Sequence, residues 1–134
     1  MCPEDRHVTV YALRFTFVGA RMHEVGLMQG ILDAAGERAD QHGAERIHRI
    51  SLLVGALSGV VPEALEFAFQ VLSPDTASEG AVLEIERVPV LCLCPACDAD
   101  FEPADYVYEC PQCRRITDRV LRGRELQIVS IEVS

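Results

Sequence analysis

Four cysteines carry the clearest chemistry in this chain. Cys94-Pro95-Ala96-Cys97 and Cys110-Pro111-Gln112-Cys113 are two CPxC knuckles with twelve residues between them. A two-residue gap lets both thiolates of a knuckle reach one ion, and the proline helps to set the tight turn. Backbone N–H groups behind the turn can hydrogen-bond to sulfur. Two knuckles supply four thiolates, the tetrahedral set of a closed structural zinc site. Iron in a rubredoxin-like site, a redox dithiol pair and unliganded thiols are the competing readings, and structural Zn(II) is the expectation. Its binding would contribute on the order of 10 kcal/mol to folding, the staple that a piece of about thirty residues needs. Four thiolates leave no open coordination position, and no nucleophile–base pair is evident, so the chain reads as a non-enzyme. Cys92 would share a strand face with Cys94. It could compete as a ligand, but the expected role is a small apolar strand residue. Cys2 is isolated and has no assigned role.

Many zinc ribbons bind nucleic acid, but the charge here argues against it. Between the outer cysteines lie Asp98, Asp100, Glu102, Asp105 and Glu109, with no basic residue; Arg114 and Arg115 come only afterwards. Such a surface is wrong for phosphate. Tyr106 and Tyr108 are expected to cover the small core rather than to stack on bases. The whole chain carries a net charge of −9 and a pI near 4.8, which also repels polyanions.

The elements that must position these groups read as α+β. Residues 8–18 are β-branched and aromatic and suit a strand. From Arg21 a helical pattern opens, with Leu27, Met28, Ile31, Leu32, Ala35 and Ala39 forming one stripe, and Gly43 suits its left-handed end. Residues 46–54 form a strand, and Gly55 to Gly59 a loop without a phosphate-binding lysine. Pro62 and Glu63 open a second helix with Leu65, Ala68, Phe69 and Leu72 inward. Residues 82–91 read as one strand, with Pro89 marking an edge position or the exit. In residues 125–133 the alternation slips once at Val129, which predicts a final strand with a bulge that returns to the first sheet. The expected architecture is a small domain of two helices on a mainly antiparallel sheet, 22–91 plus 122–134, with an inserted zinc-ribbon lobe, 92–121. Residues 1–21 form an N-terminal extension. His42 and His48 are expected to be solvated, as are Arg46 and Arg49.

At 134 residues, with 49% hydrophobic and 25% charged residues, the chain is globular rather than disordered. No apolar run approaches the ~20 residues that cross a bilayer, and Arg14 interrupts the only candidate leader. The reading is a cytoplasmic protein with reduced cysteines and no membrane partner.

Met22-His23-Glu24 brings in a resemblance. With MHEVGLMQGILDAA, GALSGVVPEALEFAF, EGAVLEIERVPV, the paired CPxC knuckles and GRELQIVSIEVS, the chain resembles the HypA/HybF hydrogenase nickel-incorporation proteins over residues 22–134. MHE alone would mean little; together these segments are highly specific. The resemblance implies a nickel metallochaperone that carries Ni(II) as transferable cargo beside a structural Zn(II). It implies delivery to the [NiFe]-hydrogenase large-subunit precursor, with a HypB-type GTPase as partner and, in some members, urease maturation proteins. Oligomeric state is left open between monomer and homodimer. The competing function is a zinc-ribbon module for protein or nucleic-acid interaction, with no transferable metal.

The family's nickel ligands are the amine of its first methionine and the next residue's amide nitrogen and imidazole. By motif these fall on Met22 and His23, with Glu24 as a further ligand. Such nitrogen donors suit a tetragonal or square-planar Ni(II) site. The chain departs from the family in one respect: Met22 is internal and has no free amine. Either the native protein starts at Met22, which is the expectation, or the extension is real and nickel is held more weakly. His7 is then the candidate to replace the amine.

Overall fold

The computed structural model describes residues 8–16, 24–104 and 107–134. Nine elements follow in order: β1 (Thr9–Thr16), α1 (Glu24–Gln41), β2 (Ile47–Gly55), α2 (Pro62–Leu72), β3 (Val82–Val88), β4 (Leu91–Cys94), β5 (Ala99–Phe101), β6 (Val120–Arg122) and β7 (Leu126–Val133). They build a four-stranded sheet of order β1-β7-β2-β3 and a separate three-stranded sheet of order β5-β4-β6. The class is α+β, as the sequence predicts, with the small sheet inserted between β3 and β7.

In the large sheet β7 runs antiparallel to both β1 and β2, while β3 is parallel to β2. A parallel pair needs a crossover, and α2 supplies it. One face of the sheet takes both helices. The predicted stripe of α1 is buried in full, and it meets Leu65, Ala68 and Phe69 of α2 over Ile50, Leu52, Val54, Ile128 and Ile131. α1 contains three glycines, so this burial rather than intrinsic propensity holds it. The helix then ends at Gly43, whose φ of +69° is the left-handed conformation glycine adopts without cost.

The slip at Val129 is a bulge. Ser51 pairs with Ser130 and Leu52 with Ile128, so Val129 is the extra residue, and the register against β1 breaks at the same level. This keeps Ile128, Ile131 and Val133 all buried although their spacing breaks the two-residue period. A second bulge falls at His48, between the pairs Ile47–Val133 and Arg49–Glu132. It places His48 Nε2 2.6 Å from the Ser134 hydroxyl. His48 is therefore half-buried and engaged rather than solvated, and His42 stacks its ring on Tyr11 of β1 at a centroid distance of 3.7 Å. Arg49 is also engaged. On the solvent face it links Glu132 (2.9 Å) and Glu84, and those two carboxylates raise its pKa above the ordinary value.

One expectation changes at the strand ends and one holds. Residues 82–91 are not one strand: β3 stops at Val88, Pro89 has no N–H to continue the ladder, and Leu91 belongs to the small sheet. Residues 8–18 do contain a strand, and β1 joins the main sheet as its edge beside β7.

Candidate metal centre

Each knuckle is a turn built in the same way. The residue after it has a positive φ, +52° at Asp98 and +64° at Arg114. Its N–H returns to the carbonyl of the knuckle's first cysteine at 2.8 Å, Asp98 to Cys94 and Arg114 to Cys110. The first cysteine of each pair is buried, while Cys97 is half-buried and Cys113 exposed. One hand of the clamp hangs from β4. The other is a short hairpin closed by the Glu109–Ile116 bridge and by Thr117 N–H to the Tyr108 carbonyl. Thr117 joins the two hands: its buried hydroxyl donates to the Leu93 carbonyl at 2.8 Å and accepts from Arg119 N–H at 3.0 Å. Leu93 N–H completes the seam by donating to the Arg119 carbonyl.

The four sulfur atoms converge. Cys94 Sγ lies 3.5 Å from Cys113 Sγ, and Cys97 Sγ lies 4.0 Å from Cys110 Sγ. All four lie within 4.8 Å of one another. A tetrahedron with Zn–S bonds of ~2.3 Å has edges of about 3.8 Å, so the cradle matches zinc in size, donor type and number. Proximity also couples the thiols. The Cys110 thiol is drawn down to about 7 by the backbone N–H groups of Cys113 and Gln112. The Cys97 thiol is pushed up to about 12 by its hydrogen bond to Cys113, by burial and by the other two sulfurs. Thiols that raise one another's pKa in this way release their protons when a cation takes the centre.

Cys92 is not part of the cluster. It is fully buried in the ribbon core with Phe101, and burial raises its thiol pKa. Tyr108 also packs against this core, as expected, and Tyr106 lies outside the described residues.

The ribbon is tied to the large sheet through two glycines. Gly55 N–H donates to the Glu125 carbonyl at 2.7 Å, and Leu57 N–H donates to the Gly123 carbonyl at 2.6 Å. Ala56 N–H reaches the Val88 carbonyl, so the loop after β2 holds both the chain entering the ribbon and the chain leaving it. Gly123 has φ +122°, and a Cβ there would sit 3.0 Å from Val90 Cα. Sequence reasoning placed a glycine loop here but not its role as a fastener, because nothing local to GALSG shows which backbone it meets.

Of the proposed nickel ligands, Glu24 is the first residue of α1, half-buried at the helix start. Met22 and His23 lie outside the described residues, as does His7.

Comparison with known proteins covers the same span. A family model described as hydrogenase/urease nickel incorporation, metallochaperone, HypA, matches residues 22–133. Hydrogenase maturation factor HypA of Picosynechococcus sp. is 44% identical over 112 residues, covering 84% of this chain and 99% of the relative. The protein of the same name from Chloroflexus aurantiacus is 38% identical over 112 residues, covering 83% and 98%. Among solved structures, the nickel metallochaperone HypA from Helicobacter pylori superposes with a TM-score of 0.59 at 23% identity, covering 84% of this chain and 97% of that one. A second HypA solution structure gives 0.62 at 23% identity, covering 85% and 98%. At that identity the structures speak for the fold.

Proposed function

The chain belongs to the HypA family of hydrogenase-maturation nickel metallochaperones, and on that premise we propose that it holds Ni(II) at Met22, His23 and Glu24 and Zn(II) at Cys94, Cys97, Cys110 and Cys113. The observation that carries the reading is the coincidence of the family match with both features. The match begins at Met22 and runs through the four-thiol cluster to the last strand.

The division of donors gives the mechanism. Cys94, Cys97, Cys110 and Cys113 would hold the structural ion, which would supply no reaction chemistry but would fasten the two knuckles into one lobe. Nickel is cargo and needs donors that can let it go. The His23 imidazole binds in its neutral form, and a backbone amide beside it must lose its proton to ligate. Glu24, at the positive end of α1, supplies a carboxylate within the same three residues. With Met22 as the native start its nitrogen is an amine and a strong donor; with residues 1–21 retained it is a peptide nitrogen and nickel is held more weakly. Domain limits follow the same division: 22–91 with 122–134 for the cargo-bearing core, 92–121 for the ribbon, and 1–21 as an appendage that adds an edge strand. Delivery is to the precursor of the hydrogenase large subunit, with a HypB-type GTPase as the coupled partner and urease maturation proteins as further clients.

The test is a pair of metal titrations on the full chain. His23→Ala should lose nickel uptake at micromolar concentration while keeping one zinc per chain and the native circular dichroism. Near-wild-type nickel affinity in that variant would reject the site. Intact mass of the protein from its native cell decides whether Met22 carries an amine.

A further inference from the structure

The ribbon sheet has two free edges of opposite charge. On the β5 side, Asp98, Asp100 and Glu102 are all charged and carboxylic. On the β6 side the return limb 114–124 holds Arg114, Arg115, Arg119, Arg122 and Arg124 against the single Asp118. That segment carries +4, so the remainder of a chain whose net charge is −9 carries −13. Five of the chain's twelve basic residues lie in these eleven positions.

All five arginines are exposed, and among the described residues none of them enters an ion pair. Arg49 and Arg87, by contrast, are both matched to carboxylates within the fold. Two apolar side chains stand among the free guanidinium groups: Ile116 is 74% exposed and Leu121 50%. Unpaired arginines interspersed with exposed aliphatic residues along one limb are the composition of a protein interface, since guanidinium forks pair bidentately with carboxylates and resist association only weakly by dehydration.

We propose that the β6 edge of the ribbon is a docking surface for a partner protein that presents a carboxylate-rich patch around an apolar centre. The neighbouring charge selects this occupant. An extended polyanion such as a nucleic acid, or an anionic bilayer, would also bring its charge against the rest of the chain, whose −13 includes the β5 edge. A compact acidic patch meets only the basic limb. A second copy of this chain is disfavoured by the like net charge of the two molecules. The surface is independent of the nickel residues, and rests on the maturation role only for the choice of probes.

The experiment uses the full zinc-loaded chain and two purified probes encoded in the same genome, the maturation GTPase and the hydrogenase large-subunit precursor. Association is followed by biolayer interferometry between 0.05 and 0.3 M salt. The expected result is binding to at least one probe that weakens at least tenfold in Arg115→Ser/Arg119→Ser/Arg122→Ser, mostly through the association rate, with a flatter salt dependence. Ile116→Ser keeps the charge and should speed dissociation instead. Unchanged zinc content and circular dichroism keep a folding defect from counting as support. The proposal is overturned if wild type and triple variant bind alike, if wild type binds neither probe, or if wild type binds heparin or phosphatidylserine vesicles at 0.15 M salt. It is also overturned, in favour of a second copy, by self-association of wild type that the triple variant loses. His23→Ala leaves this binding untouched, so its failure and that of the nickel site are separately visible.

Discussion

Gly55→Ala should be among the most damaging single-methyl additions to this protein. A Cβ at Gly55 would drive into the Gly123 carbonyl and sit 2.7 Å from the Glu125 backbone nitrogen. The obstacles are backbone atoms, which cannot rotate aside as a flexible side chain would. Relief requires the β2 end and the 123–125 segment to part. That breaks Gly55 N–H to Glu125 and Leu57 N–H to Gly123, the two bonds that fasten the ribbon's exit. Two backbone hydrogen bonds at about 1 kcal/mol each, with overpacking of ~1–3 kcal/mol, make a loss of about 3–5 kcal/mol. Against a total stability of roughly 5–15 kcal/mol this lowers the melting temperature by about 10–15 °C. The matched control is Gly36→Ala on α1, where an added Cβ meets nothing within 4 Å and alanine should stabilise the helix by up to ~1 kcal/mol. Thermal melts of the zinc-loaded variants, with hydrogen exchange across 55–57 and 123–125, read both effects. If Gly55→Ala melts within a degree or two of wild type and keeps its protection there, the close approach is not what joins the two parts.

Four further outcomes follow from the same geometry. Cys94→Ser should release zinc and remove hydrogen-exchange protection over 91–122, while far-ultraviolet circular dichroism still reports both helices; a ribbon that stays protected without metal would contradict the staple. Chelation of zinc from wild type should reproduce that pattern, reversibly on readdition. Cys92→Ser buries a hydroxyl in the ribbon core and should cost about 1–3 kcal/mol in denaturant titrations with one zinc per chain retained; loss of zinc would make Cys92 a ligand. Nickel uptake should fall as pH drops through ~6.5, since imidazole must be neutral to ligate, and a flat titration from pH 7.5 to 5.5 would remove His23 from the site.

The four-thiol centre was legible because its constraints are local. Two-residue gaps and prolines dictate the turns, and the twelve residues between knuckles reach back whatever their detailed path. The bulge at Val129 was legible for the same reason, as a break of parity within one strand. What stayed hidden depends on distant partners. His48 reads as a solvated strand residue until a bulge aims it at Ser134, and that pairing is set 86 positions away. The split of 82–91 follows from Leu91 finding Arg122 rather than extending the β2 ladder. Thr117, which sews the two knuckles together, has no signature: an isolated threonine between Ile116 and Asp118 gives no sign of the Leu93 carbonyl it will meet.

These hidden contacts explain why the ribbon is attached as it is. An inserted lobe entered at Pro89–Val90 and left at Gly123–Arg124 would swing on two single strands of backbone if nothing else held it. The loop after β2 removes that freedom by bonding to Val88, Gly123 and Glu125 at once; the contact needs Gly55 to lack a side chain, and Gly123 in turn leaves room for Val90. The thiolate clamp then transmits the constraint outward. Thr117 and Leu93 lock the second hairpin to β4, so the arginine limb that follows Cys113 is carried in a fixed position relative to the large sheet. The same loop ends in the segment that opens α2, the helix that packs beside α1. α1 is the helix that begins with Glu24. Among the described residues the contacts therefore run without a break from the ribbon, through the loop after β2 and α2, to α1, by backbone contacts and packing rather than by a flexible tether.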